Sequence, residues 1–200
     1  TQPGHELTVE YDWSNMLASY NRTYSSVQVK AVAQLMFDVS VMLQSAFNGA
    51  DNRSTFGTSA YDEDAVAGLV KYMDYDATAT IKYRDDYGDS RWASMMRAEI
   101  DAGHPMLYGG EGDYGGHAFV VDGYKDNNYF HINWGWNGVD NAWFALSSFY
   151  VDSECDFRYN QDCMFGLKKN EGGKAPEILH LYQTKNSSGI SICLGTVGTS

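Results

Sequence analysis

Proline is scarce in this chain, at 3 residues in 200, and cysteine is no commoner at 3. The thiols Cys155, Cys163 and Cys193 follow no zinc-ligand spacing, and an odd number closes no full set of disulfides. Cys155 and Cys163 are compatible with one short loop in an oxidising compartment, and equally with free thiols. Positive charge is sparse too. Lys and Arg number 14 against 26 Asp and Glu, for a net charge of −12, and no basic run occurs. Nucleic acid is therefore excluded as a partner, because phosphate binding needs clustered cations that release counterions. An acidic surface serves solubility and favours cationic partners. No apolar run approaches the ~20 residues of a membrane-spanning helix. Low-complexity tracts, internal repeats and a signal-peptide pattern are missing as well. The chain opens at Thr1 without an initiator Met, which reads as the interior of a longer precursor or a processed piece.

What is present suits a soluble globular protein, with 44% hydrophobic and 20% charged residues. The length allows one domain with a real core and a fragment of a second. Tyrosine (15) and glycine (20) are plentiful, which suggests many turns between short strands.

Apolar residues at Val32, Leu35, Met36, Val39, Leu43, Ala46 and Phe47 recur at helical spacing, so a helix is expected from Ser25 or Ser26 to Phe47. The serines are its N-cap candidates. A shorter helical turn is expected within Tyr11–Tyr20, and residues 48–59 read as a polar loop. A second helix is expected over Tyr61–Met73, with Val66, Leu69, Val70 and Met73 inward. A third spans Asp89–Ala102, stopped by Gly103, with Trp92, Met95, Met96 and Ile100 inward. Beyond it the texture changes to PMLYGG, HAFVVDGY, NYFHINWGW, AWFAL and CMFGLKK. These short runs, rich in β-branched and aromatic residues, predict a mostly antiparallel sheet. Helices first and strands second give an α+β class, a helical layer packed on that sheet. After Lys169 the linker NEGGKAP leads to two further strands, ILHLYQT and ISICLGTVG. The expected division is therefore 1–170 for the main domain and 171–200 for a linker and the start of a C-terminal β domain.

The segment Gly115-Gly116-His117-Ala118-Phe119-Val120-Val121 carries the most chemistry. Two glycines let a neighbouring backbone come close, and an imidazole at a strand mouth can be held in the single orientation a general base needs. A lone histidine at a strand end more often serves packing. The following strand changes that reading, because a hairpin would bring Asn133-Trp134 near His117. An amide there can accept the ring N–H and fix the tautomer, while an indole keeps water away. The plainer alternative for NWGWNG is an aromatic-glycine turn that packs a sheet corner. His104, His131 and His180 read as structural, and Asp62, Glu63 and Asp64 as a charged helix start.

GGHAFVVDGY followed by HINWGWNG closely resembles the histidine region of the streptopain family, bacterial papain-like cysteine peptidases. YDWSNML, VQVKAVAQLMFDVSVML, RWASMMRAEIDAGHPMLYGG and FRYNQDCMFGLKK resemble further family segments, in order, over about residues 9–169. The resemblance implies a papain-like fold and hydrolysis of a protein or peptide substrate through an acyl-enzyme. It makes His117 the catalytic histidine, with Asn133 and Trp134 orienting and shielding it. Gly115 and Gly116 would let substrate backbone pass, and Trp136 would line the cleft. No metal and no organic cofactor are implied, and the location implied is secreted or cell-surface.

Two departures matter. The family's nucleophilic cysteine stands in a GCVATA-type motif before the YDW segment, and its oxyanion glutamine precedes that; neither is in this chain. The loop NGADNRSTFGTSA also lacks the family's tyrosine-glycine-proline-serine run. Cys155 lies among acids that disfavour a thiolate, Cys163 reads as core and Cys193 as tail. A second polypeptide segment carrying the nucleophile is therefore expected. Without it the apolar faces of the 25–47 helix and of the sheet would stand exposed. The different-class alternative is an inactive peptidase-like binding module.

Overall fold

The computed structural model describes residues 5–6, 10–20, 23–48, 57–126, 128–153, 155–173, 180–186 and 189–195. In chain order the elements are β1 (His5–Glu6), α1 (Ser26–Met42), β2 (Ala46–Asn48), β3 (Gly57–Ser59), α2 (Asp62–Tyr72), β4 (Thr80–Tyr83), α3 (Asp89–Asp101), β5 (Met106–Gly112), β6 (Gly115–Lys125), β7 (Tyr129–Asn133), β8 (Ala142–Ala145), β9 (Tyr159–Phe165), β10 (His180–Asn186) and β11 (Gly189–Gly195). They fall into two compact units, one of Thr1–Asp74 with Lys174–Ser200 and one of Tyr75–Gly173. This grouping follows contacts, whereas the division expected at 170/171 follows the linear chain. No helix among the described residues is long and apolar enough to cross a membrane.

In the first unit, α1 opens on a capping box. The Ser25 hydroxyl accepts from the Gln28 N–H at 3.3 Å, and Gln28 Oε1 accepts from the Ser25 N–H at 2.8 Å, so two otherwise orphaned donors are satisfied. The helix stops at Met42, short of the expected Phe47, because Gln44 turns left-handed at φ 52°. Ala46 and Phe47 instead join β2, which pairs with β3 inside the stretch read as a loop. Strand identity there comes from pairing and not from any local pattern. The expected helical turn after Tyr11 is a 3₁₀ turn over Trp13–Asn15, capped by Asp12. Met42 is the buried centre of a small cluster with Val39, Leu43, Leu69 and Met73. Gly68 lets α2 approach it, since a Cβ there would stand 2.6 Å from Met42 Cγ. Of the expected inward face of α1, Val32, Leu35 and Val39 are half-buried, whereas Met36 is 67% exposed. The terminal strands form a three-stranded sheet, β1-β10-β11.

The second unit is a six-stranded antiparallel sheet in the order β4-β9-β5-β6-β7-β8. Side chains alternate across it. Met106 and Tyr108, Phe119 and Val121, Phe130 and Ile132 all lie in one buried cluster, with Trp92, Ala93 and Met96 of α3 packed in it. The α+β class read from the order of the segments is the observed one. Trp92 is wholly buried and donates from Nε1 to the Tyr108 hydroxyl at 3.0 Å, so its one polar atom is satisfied inside the core.

Between β5 and β9 the register shifts around Gly110, a bulge that admits another piece of chain. A Cβ on Gly110 would stand 2.3 Å from the main-chain oxygen of Phe157, far inside van der Waals contact. Backbone cannot swing aside as a flexible side chain can. Gly110→Ala is expected to destabilise the protein by about 1–3 kcal/mol, read as a lowered midpoint in urea unfolding. Gly116→Ala, whose Cβ would find nothing nearer than 3.5 Å, serves as the near-neutral comparison.

Candidate active site

His117 stands at the mouth of β6, two residues before Phe119 and therefore on the same, core-facing side. Its register partner on β5 is Gly110, which leaves space below the imidazole. The β6–β7 hairpin pairs Val120 with Asn133 and so carries the next residue, Trp134, alongside the histidine. Past β7 the chain makes a tight loop through left-handed residues, with Gly135 at φ 79°, Asn137 at 55°, Gly138 at 83° and Asp140 at 59°. That loop folds back on Trp134. Asn141 Oδ1 accepts from the Trp134 N–H at 3.0 Å, and the Asp140 carbonyl accepts from the indole Nε1–H at 3.1 Å. Trp134 is 0% exposed, so its peptide and ring are both locked.

The locked peptide presents its carbonyl oxygen 2.8 Å from His117 Nε2. A carbonyl only accepts, so Nε2 carries the hydrogen, and the neutral ring keeps its lone pair on Nδ1. The tautomer required of a base is thus set by main chain. Around the imidazole lie Trp136 at 5.1 Å and Phe157 at 5.2 Å between ring centroids, with Phe119 at 6.2 Å and Trp134 at 6.3 Å. Trp134 and Trp136 stack nearly parallel, 14° apart.

Of the residues singled out from sequence, His117, Trp134 and Trp136 converge. Asn133 sits beside them but points its Oδ1 at the Gly135 N–H, 3.0 Å away. The amide expected to accept the ring N–H is replaced in that role by the carbonyl of the next residue. Alternation along β7 explains it: Ile132 and Trp134 face the core, and Asn133 lies between them on the other side. Gly115 has φ 126° and open space where a Cβ would be, and Gly116 is likewise exposed. Sequence reading missed Asn141, hidden in a run of turn residues, and Phe157, which lies 40 residues from His117 along the chain (157 minus 117). The one available signal for Phe157 was the glycine pair at Gly109–Gly110, a mark of close backbone approach.

Two other histidines bond elsewhere. His104 Nδ1 lies 3.1 Å from Glu99 Oε2, and His131 Nδ1 lies 2.6 Å from Asp122 Oδ1. Cys163 is a free thiol. Cys163 is fully buried in β9, and its thiol is pushed well above the ordinary range, first by burial and then by the nearby Asp162 and Glu99 charges. A thiol held protonated and sealed from solvent is no nucleophile. Cys193 lies on β11 opposite Tyr182. At pH 8 iodoacetamide is expected to leave Cys163 unmodified in the native protein and to alkylate it after urea unfolding; peptide mass mapping reads both.

The sequence pattern of the Peptidase C10 family matches residues 2–144. Streptopain of Streptococcus pyogenes is 32% identical over 141 residues, which is 70% of this chain and 34% of streptopain. The thiol protease/hemagglutinin of Porphyromonas gingivalis is 31% identical over 137 residues, 68% of this chain and 15% of that protein. The structure of active wild-type interpain A cysteine protease from Prevotella intermedia superposes with a TM-score of 0.68 at 32% identity, covering 78% of this chain and 63% of that one. A prointerpain A fragment gives 0.61, covering 82% and 49%. The chain therefore spans about a third of the length of streptopain.

Proposed function

We propose that this chain, which belongs to the Peptidase C10 family of streptopain-like cysteine peptidases, supplies the histidine half of a secreted or cell-surface endopeptidase. The observation that carries the reading is the 2.8 Å contact between His117 Nε2 and the Trp134 carbonyl, which leaves Nδ1 free to take a proton. A thiol delivered to Nδ1 gives up its proton, and the thiolate adds to the scissile carbonyl carbon. The imidazolium then protonates the leaving amine as the C–N bond breaks, which leaves a thioester. Water gives its proton to the same nitrogen, attacks the thioester and restores the thiol. Throughout, the Nε2–H bond to Trp134 holds the ring while the aromatic box keeps competing water away. Gly115 and Gly116, lacking side chains, let substrate backbone run beside the base. Residues 1–170 form part of the peptidase domain, and 171–200 a linker and the start of further β structure.

The nucleophile comes from a second polypeptide segment, whether cleaved from the same precursor or carried on another chain. Support for this lies on α1, where Val29, Met36 and Phe37 are exposed. Positions 29 and 36 share one helix face, and covering apolar surface stabilises by about 25 cal/mol per Å². An acyl-enzyme step cannot be completed without that segment. The different-class reading, a binding module that does not cut, is separated from it by experiment.

Two measurements test this. Mass spectrometry of the native preparation is expected to find a co-purifying segment whose cysteine is labelled by a thiol-directed peptidase inhibitor. A preparation holding only the 22.3 kDa chain, with no cleavage of casein, would leave the binding module standing. In the assembled protein His117→Ala is expected to lower kcat/KM by roughly 10³-fold or more, because base and nucleophile act as a unit. Undiminished cleavage by that variant overturns the assignment.

A further inference from the structure

A buried polar relay runs from α3 to the underside of His117. Trp92 Nε1–H donates to the Tyr108 hydroxyl at 3.0 Å, and that hydroxyl lies 3.1 Å from Gln161 Oε1. An indole N–H only donates, so the Tyr108 oxygen receives it and sends its own proton on to Gln161. Arg84 Nη1 donates to the same Oε1 and, at 3.1 Å, to the Leu146 carbonyl. A guanidinium also only donates, so two independent neighbours settle the amide orientation, with Gln161 oxygen toward them and nitrogen away. That nitrogen, Nε2, donates to the main-chain oxygen of Phe157 at 2.8 Å.

Gln161 is only 3% exposed, and each end of its amide is engaged. Phe157 is held from its other side by its own N–H, which donates to the Phe149 carbonyl at 3.0 Å. The ring so fixed lies 5.2 Å from His117 and 5.5 Å from Trp134. The Phe157 backbone is thus tied at both its N–H and its carbonyl, and the ring extends toward His117 from that anchored position.

We propose that Gln161 is a positioning residue for His117: by anchoring the Phe157 carbonyl it keeps the Phe157 ring against the imidazole, and so keeps the imidazole Nε2–H on Trp134. This rests on His117 being the base. It does not need the nucleophile to be present.

The discriminating variant is Gln161→Glu. Glutamate retains the oxygen that Arg84 and Tyr108 address but loses the donor to Phe157, so the relay is cut at one link. The readout is long-range ¹H–¹⁵N correlation of His117 in the ¹⁵N-labelled chain, assigned with His117→Ala, at a pH where the ring is neutral. The wild-type ring is expected almost wholly in the Nε2–H form. In Gln161→Glu the Nδ1–H form should rise at least several-fold, while amide shifts on β4, β7 and β8 stay in place. A folded Gln161→Glu chain with the wild-type tautomer overturns the proposal. Should that variant not fold, Phe157→Leu, which keeps the carbonyl and removes the ring, decides by the same readout, and an unmoved tautomer is again fatal. A wild-type preparation that cleaves nothing while the tautomer responds as expected would instead count against the reading of the chain as an enzyme, so the two failures are distinguishable.

Discussion

The hydrogen bond from His117 to the Trp134 carbonyl constrains everything around it. A main-chain acceptor has no side-chain torsions, so its aim is only as good as the backbone that carries it. The loop after β7 accordingly concentrates its polar groups on one peptide. Asn141 takes the Trp134 N–H, Asp140 takes the indole N–H, and Asn133 ties down Gly135. A carbonyl is also neutral. It fixes the tautomer by hydrogen bonding alone, without bringing a charge to the ring.

Holding a ring from one edge still leaves its faces free, and here glycine and aromatic residues share the work. At Gly109, Gly110 and Gly112 a Cβ would meet Asp162, the Phe157 carbonyl and the Asp156 carbonyl at 2.8, 2.3 and 1.9 Å. The missing side chains on β5 are the space through which residues 156–157 reach the underside of β6. The Phe157 backbone occupies what Gly110 vacates, and its ring lies 5.2 Å from His117. Small residues on one strand and a bulky one on a remote segment are thus a single packing solution, and neither is intelligible alone.

This is why the fold was more legible than the site. Helical spacing, Ser25 and Gly103 were enough to locate α1 and α3, and alternation with turn residues was enough for β5–β9, because those signals are local. The end of α1 and the pairing of β2 with β3 were not visible, since both depend on a left-handed Gln44 and on partners outside the window. At the site, His117 and Trp134 announced themselves through the glycine pair and the NWGW run. The role given to Asn133 went instead to a carbonyl, and a carbonyl has no sequence signature. Gln161 and Phe157 looked like ordinary strand and loop residues because their importance arises only when β9 is placed beside β5.

The two compact units differ in how complete they are, and the difference bears on chemistry. The sheet unit closes its own core, with Trp92, Tyr108, Phe130, Ile132, Trp134 and Phe149 all at 0% exposure. The helical unit leaves Val29, Met36 and Phe37 on α1 in the open. His117 and the rings around it, Phe119, Trp134, Trp136 and Phe157, all belong to the sheet unit. On the proposed function, the base is therefore preorganised before any thiol arrives, and assembly has only to bring sulfur to a nitrogen already aimed. Preorganisation of this kind removes reorganisation from the reaction step.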